Sequence, residues 1–137
     1  MRGVRGVTVL ELLFVVVVIA ILVAIVGPRF FKAAERARAT EGVRILGTIR
    51  RVEIRYYSEH GYLTTNLDDL DIDVKGGIFF NLPVLKNVTY TGGDEVVASI
   101  TRNSKANTGY GAYVLSIRGN GEIFCNATPP NKCPVGF

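Results

Sequence analysis

Residues 7–26 read VTVLELLFVVVVIAILVAIV, and Thr8 and Glu11 are the only polar side chains in the run. As a helix it is about 30 Å long, the thickness of a bilayer's hydrocarbon core. Arg2 and Arg5 precede it, and Arg29, Lys32, Arg36 and Arg38 follow it. Positive charge flanking an apolar run speaks for membrane orientation before nucleic acid. By the positive-inside preference, Arg2 and Arg5 stay on the cytoplasmic side and the rest of the chain goes out. A secretory signal peptide is the competing reading, but its apolar core is shorter, about 7–15 residues, and ends in a small-x-small cleavage site. Here Gly27-Pro28-Arg29 follows instead. Glu11 stands out, because a carboxylate at hydrocarbon depth is costly unless paired or protonated, which marks it as functional. The plain alternative is that it lies at headgroup level and stays wet.

Gly6-Val7-Thr8-Val9-Leu10-Glu11-Leu12-Leu13, with the Val/Ile/Leu/Ala run behind it, resembles the N-terminal signature of type IV pilins and of the pseudopilins of type II secretion. The resemblance covers residues 1–30, and beyond them only the organisation of the chain. It implies a leader of residues 1–6, removed by a membrane peptidase that cuts after Gly6 and methylates the new N-terminus at Val7. It also implies that Glu11 pairs with the Val7 ammonium of a neighbouring subunit during assembly. A buried carboxylate becomes tolerable when a buried ammonium meets it, and each charge sets the register of the other. The sequence departs from the family at Val7, where phenylalanine is commonest. Pro28 fits a helix-distorting proline common in the family at this distance. Gly27-Pro28 would in any case disturb a helix, since proline lacks the N–H and clashes with the preceding turn. The expectation is a local kink or melted turn over residues 23–28.

From Arg29 to about Ser58 the periodicity is helical. Ala33, Ala34, Ala37, Ile45, Ile49, Val52 and Tyr56 define one face. Glu35, Arg36, Arg38, Glu41, Arg44, Arg50, Arg51, Glu53 and Arg55 occupy much of the rest. Gly42 and Gly47 weaken the helix slightly, and Gly61 is its expected stop. The stretch from Tyr57 to Leu70 also resembles the segment after the long helix of many pilins. Residues 88–91, 96–101, 110–117 and 122–125 read as strands, punctuated by Gly92-Gly93 and Gly119-Asn120-Gly121, with a polar connection at 103–109. The expected fold is α+β: a long N-terminal helix whose second half carries an antiparallel sheet of three to four strands, the pilin fold. The divisions are residues 1–6 as leader, 7–28 as the membrane and filament-core segment, and 29–137 as the head.

Cys125 and Cys133 are the only cysteines and His60 the only histidine. A metal site would need further ligands nearby, so a disulfide closing a short loop is preferred over two free thiols. It points to an oxidising compartment, the destination the apolar run indicates as well. In the resembled family a C-terminal disulfide loop commonly lies at the filament surface. Asp68, Asp69, Asp71 and Asp73 offer hard oxygen ligands, but the EF-hand spacing is missing. A solvated acidic loop is preferred over a calcium site, and contact with a neighbouring subunit's basic helix is a third use. Asn87-Val88-Thr89 and Asn126-Ala127-Thr128 match the glycosylation sequon, a pattern common by chance. No catalytic motif is present, and neither cofactor nor metal is expected.

The resulting expectation is a filament subunit, not an enzyme. It waits in the inner membrane as a precursor, meets the prepilin peptidase and assembly machinery, and packs with its own copies into an extracellular pilus. Nucleic acid at the basic helix is a subordinate partner. A pseudopilin and a single-pass anchored binding module are the alternatives. The cysteine pair favours a pilin over a pseudopilin.

Overall fold

The computed structural model describes residues 6–74, 76–103, 110–127, 132–134 and 136. Helix α1 spans Val9–His60, a 3-10 turn spans Leu67–Asp69, and four strands follow: β1 (Val84–Leu85), β2 (Val96–Thr101), β3 (Val114–Arg118) and β4 (Ile123–Asn126). The strands form one antiparallel sheet in the order β1-β2-β3-β4. The chain divides into two compact units, Met1–Ala33 and Ala34–Phe137. The α+β layout, a long N-terminal helix followed by an antiparallel sheet on its second half, is the expected one.

In the second unit, the helix buries Glu35, Ala39, Gly42, Leu46, Ile49 and Glu53. The steps alternate between four and three residues, so these side chains line one stripe of the helix. Ala39, Leu46 and Ile49 join one core with Ala98 and Ile100 of β2, Leu115 and Ile117 of β3, and Phe80, Leu85 and Tyr113. Each fully buried leucine or isoleucine side chain contributes about 1.5–3 kcal/mol. The stripe differs from the face read from periodicity. Ile49 lies on it, but Ala33 and Ala37 are exposed, while Ile45, Val52 and Tyr56 are only half-buried. Gly42 also has a different use. A Cβ there would stand 2.9 Å from the Phe80 ring and 3.0 Å from a Leu115 methyl, so its absence lets helix and sheet approach closely.

Two side chains on the flanks of the stripe tie loops to the helix. Glu41 accepts the N–H groups of Ile78 (2.6 Å) and Phe79 (2.9 Å). Arg50 donates twice to the Gly119 carbonyl, at 2.8 and 2.6 Å, and so holds the β3–β4 turn. Gly61 ends the helix as expected, with φ +81 and its N–H donated to the Tyr57 carbonyl at 2.8 Å.

Three expectations need correction. No strand forms at residues 88–91; β2 instead takes Val84 and Leu85 as its edge partners, opposite Ser99 and Ala98. The cause lies in the turn that follows. The Glu95 carboxylate accepts the N–H groups of Thr91, Gly92 and Gly93 and the Thr91 hydroxyl, which curls the chain where a hairpin would need to pair. These donors, with the Thr91 hydroxyl foremost, lower the pKa of Glu95 to about 2. The third strand begins at Val114 rather than at residue 110. Finally, of the kink or melted turn expected over residues 23–28 the melted turn does not form, because α1 stays helical through Gly27 and Pro28. Proline removes a single donor from the ladder, leaving the Ala24 carbonyl without its i+4 partner, and the helix continues on either side of that gap. The polar connection at 103–109 lies outside the described residues apart from Asn103.

Candidate functional site

The first unit is dominated by one apolar surface. From Val9 to Val26 every residue is exposed, with Leu10 at 81% and Leu13 at 63%. α1 contains a segment long and apolar enough to cross a membrane, and none of that segment is buried within the chain. Transferring such a surface out of water is favoured at about 25 cal/mol per Å². Nothing among the described residues covers it.

Gly6 and Val7 precede the helix in exposed chain without regular structure. Residues 1–5 of the expected leader lie outside the described residues. Thr8 caps the helix: its hydroxyl accepts the Glu11 N–H at 3.2 Å, and its carbonyl accepts the Leu12 N–H at 3.1 Å. Thr8-Val9-Leu10-Glu11 therefore has the spacing of a capping box, a signal the sequence carries beyond those used to place the helix. Glu11 is exposed in the first helical turn, where the positive end of the helix dipole favours a carboxylate. Val7 and Glu11 thus share one helix start. Gly27 and Pro28 lie within the continuous helix, and a Cβ on Gly27 would meet nothing within 4 Å.

Cys125 and Cys133 come to disulfide distance, with Cα atoms 5.9 Å apart. Cys125 stands in β4 opposite Leu115, so the bond ties the C-terminal segment to the sheet. No cysteine among the described residues is free.

The charged residues of the second unit arrange themselves in ways the sequence did not announce. Glu35 is fully buried. Its carboxylate accepts the Arg102 Nε–H and, at 3.0 Å, the Arg102 Nη2–H. It also accepts the Tyr113 hydroxyl at 3.1 Å and Arg38 at 3.1 Å. Arg102, itself 2% exposed, lies 5.8 Å from the centre of the Tyr113 ring. Burial, then the Glu35 charge, push the Tyr113 pKa upward. This is a bidentate ion pair with a hydroxyl completing it, the geometry a buried carboxylate requires.

Glu53, at the other end of the stripe, is satisfied only in part. One oxygen accepts the Thr64 N–H at 3.3 Å, and Oε1 has no hydrogen-bond partner among the described residues. Burial raises its pKa to about 7, partly offset by the Thr64 bond.

The acidic segment is partly occupied locally. Asp69 accepts the Thr64 hydroxyl at 2.6 Å and the Asn66 amide at 3.3 Å, and Asp71 is 4.0 Å from Arg55. Among the described residues no group of three or more His, Cys, Asp or Glu side chains is placed to hold a metal ion. His60 stacks on Tyr56 at 4.1 Å and bonds through Nδ1 to the Tyr56 carbonyl at 3.1 Å.

No protein-family model and no curated protein matches the chain. The functional reading therefore rests on residues and geometry.

Proposed function

We propose that this chain is a structural subunit of a type IV pilus-like extracellular filament. The observation that carries the reading is the exposure of an entirely apolar helical surface from Val9 to Val26, interrupted only by Glu11 in its first turn. A lipid bilayer covers such a surface before assembly, and the equivalent helices of neighbouring copies cover it afterwards. Glu11 is what a simple anchor would not need: a carboxylate in hydrocarbon is tolerated where a cation meets it, and the Val7 ammonium of the next copy, exposed after cleavage behind Gly6, supplies that cation. The cysteine pair at disulfide distance favours a pilin over a type II secretion pseudopilin and is compatible with export to an oxidising compartment.

The test is intact-mass spectrometry of protein sheared from the cell surface. The expected mass is that of a chain beginning at Val7, with one added methyl group and two hydrogens missing. A chain that retains residues 1–6 and is recovered only from membranes would replace the filament with an anchored module. Glu11→Ala separates the same readings in cells, because it abolishes filaments but leaves an anchor in place.

A further inference from the structure

At the C-terminal end of α1 a cleft of about 340 Å³ opens between the last turn of the helix, the chain just after it and the irregular segment that precedes the Glu95-held turn. Tyrosines reach this cleft from all three segments: Tyr57 from the helix, Tyr62 from the chain after it, and Tyr90 from the third. The Tyr57 and Tyr90 rings stand 5.0 Å apart at an angle of 58°, forming one wall. Tyr62 is 58% exposed. It is braced by Tyr56, with ring centres 5.7 Å apart at 79° and hydroxyl oxygens 3.4 Å apart. Such bracing holds a large aromatic ring at the surface in a defined position, where a free ring would fold against the nearest apolar patch.

The remaining chemistry of the lining is neutral and polar. Asn87 and Thr89 are exposed and line the cleft beside the rings, adding an amide and a hydroxyl to its chemistry. Among the described lining residues none carries a charge. Among them no arginine or lysine is there to hold an anion, and no carboxylate to hold a metal ion; a cation would have only the ring faces, leaving the amide and hydroxyl of the lining unused. Aromatic faces need an apolar, C–H-rich surface, while the amide and hydroxyls need a ligand able to donate and accept at its rim. A pyranose ring has both: an apolar face of axial C–H bonds and an edge of hydroxyls. We infer that this cleft binds a neutral saccharide, with one sugar ring against the tyrosine wall and its hydroxyls on Asn87 and Thr89. The cleft is near the lower end of ligand-site volumes, about 300–1,000 Å³, and open to solvent, so the affinity is on the order of millimolar.

The experiment uses the full chain in a detergent without a sugar headgroup, titrated separately with cellotetraose, chitotetraose and maltotetraose. The chain has no tryptophan and six tyrosines, three of which line the cleft. A bound sugar therefore changes part of the tyrosine emission, and the loss of that change in Tyr90→Ala and Tyr62→Ala assigns it to the cleft. At least one tetrasaccharide is expected to change that emission saturably. Tyr90→Ala and Tyr62→Ala should weaken binding by roughly tenfold, and Tyr62→Phe should retain most of it, because the ring face is the contact. Asn87→Ala is expected to weaken binding by a smaller factor. Near-UV circular dichroism of each variant shows whether the head remains folded. The inference is overturned if none of the three sugars saturates the signal. It is equally overturned if binding survives both alanine variants in folded protein, or if the cleft proves to be filled by a second copy of the chain that no sugar displaces.

Discussion

Between Val9 and Val26 helix α1 shows valine, leucine and isoleucine on every side, and between Glu35 and Glu53 it shows arginine and threonine outward and a single stripe inward. The backbone is the same hydrogen-bonded ladder in both stretches. What differs is where the partner for the apolar surface comes from. The second stretch finds Phe80, Ile100 and Leu115 within its own chain, and needs only one face to do so. The first has no such partner among the described residues, and all its faces are apolar, as a helix surrounded by lipid or by other helices requires. The charges follow the same division. Glu35 is buried among Arg102, Tyr113 and Arg38, whereas Glu11 is exposed and has only the local support of the Thr8 cap.

The largest expected effect on this contrast is that of Glu11→Ala. Filaments should be lost entirely when sheared fractions are assayed, while thermal unfolding of the head in detergent shifts by less than about 0.5 kcal/mol, the usual range for a surface change. Filaments at normal yield would show that the exposed stretch needs no ion pair. Next in size is Arg102→Leu, which leaves the Glu35 carboxylate buried without its main partner. The expected loss is about 3–5 kcal/mol in urea unfolding, with substantial recovery in the Glu35→Leu/Arg102→Leu double variant. Leu46→Ala and Leu13→Ala make the same deletion in the two stretches. The first should destabilise the head by about 2–5 kcal/mol because it leaves a cavity. The second should leave head unfolding unchanged and weaken filament assembly instead.

The smallest effect sharpens the comparison through pH. Glu53 has its folded pKa raised from 4.5 to about 7, so folding favours its protonated form. Its contribution is fully present below pH 4.5 and is lost as the pH rises toward about 7. The head is therefore expected to melt higher at pH 5 than at pH 8, by at most about 3 kcal/mol from this group. Glu53→Gln should flatten that slope. Glu95, with its pKa lowered to about 2, acts oppositely and below this window, removing stability only as the pH falls under its ordinary value. A slope that survives Glu53→Gln would assign the titration to another group.

Much of this architecture is legible from local pattern. The apolar run, the stop at Gly61, the β2 segment and the pairing of Cys125 with Cys133 each depend on residues near one another in the chain. Local pattern misleads where the deciding contact is distant. Periodicity placed Glu35 and Glu53 off the apolar face with the other charged residues, whereas both lie on the buried stripe. Arg102 lies 67 residues beyond Glu35 and Tyr113 lies 78, so no window of helical length includes them. The same distance hid the use of Gly42, which only the approach of Phe80 and Leu115 explains. The missing strand at residues 88–91 has a nearer cause, the Glu95 side chain, but a carboxylate's choice of backbone donors is not a matter of propensity.

The sequence by itself determined that helix would form on both sides of Gly27-Pro28 and that its first half would be apolar all round, since backbone hydrogen bonding and side-chain hydrophobicity are properties of each short stretch, but not that the helix would run unbroken through the proline. Only the tertiary structure decided which stripe of the second half is buried, and with it which glutamates are neutralised by ion pairing, left partly unsatisfied or exposed. Burial is a relation between surfaces brought together by the whole fold, and a charge is tolerable there only when that fold also delivers its partner.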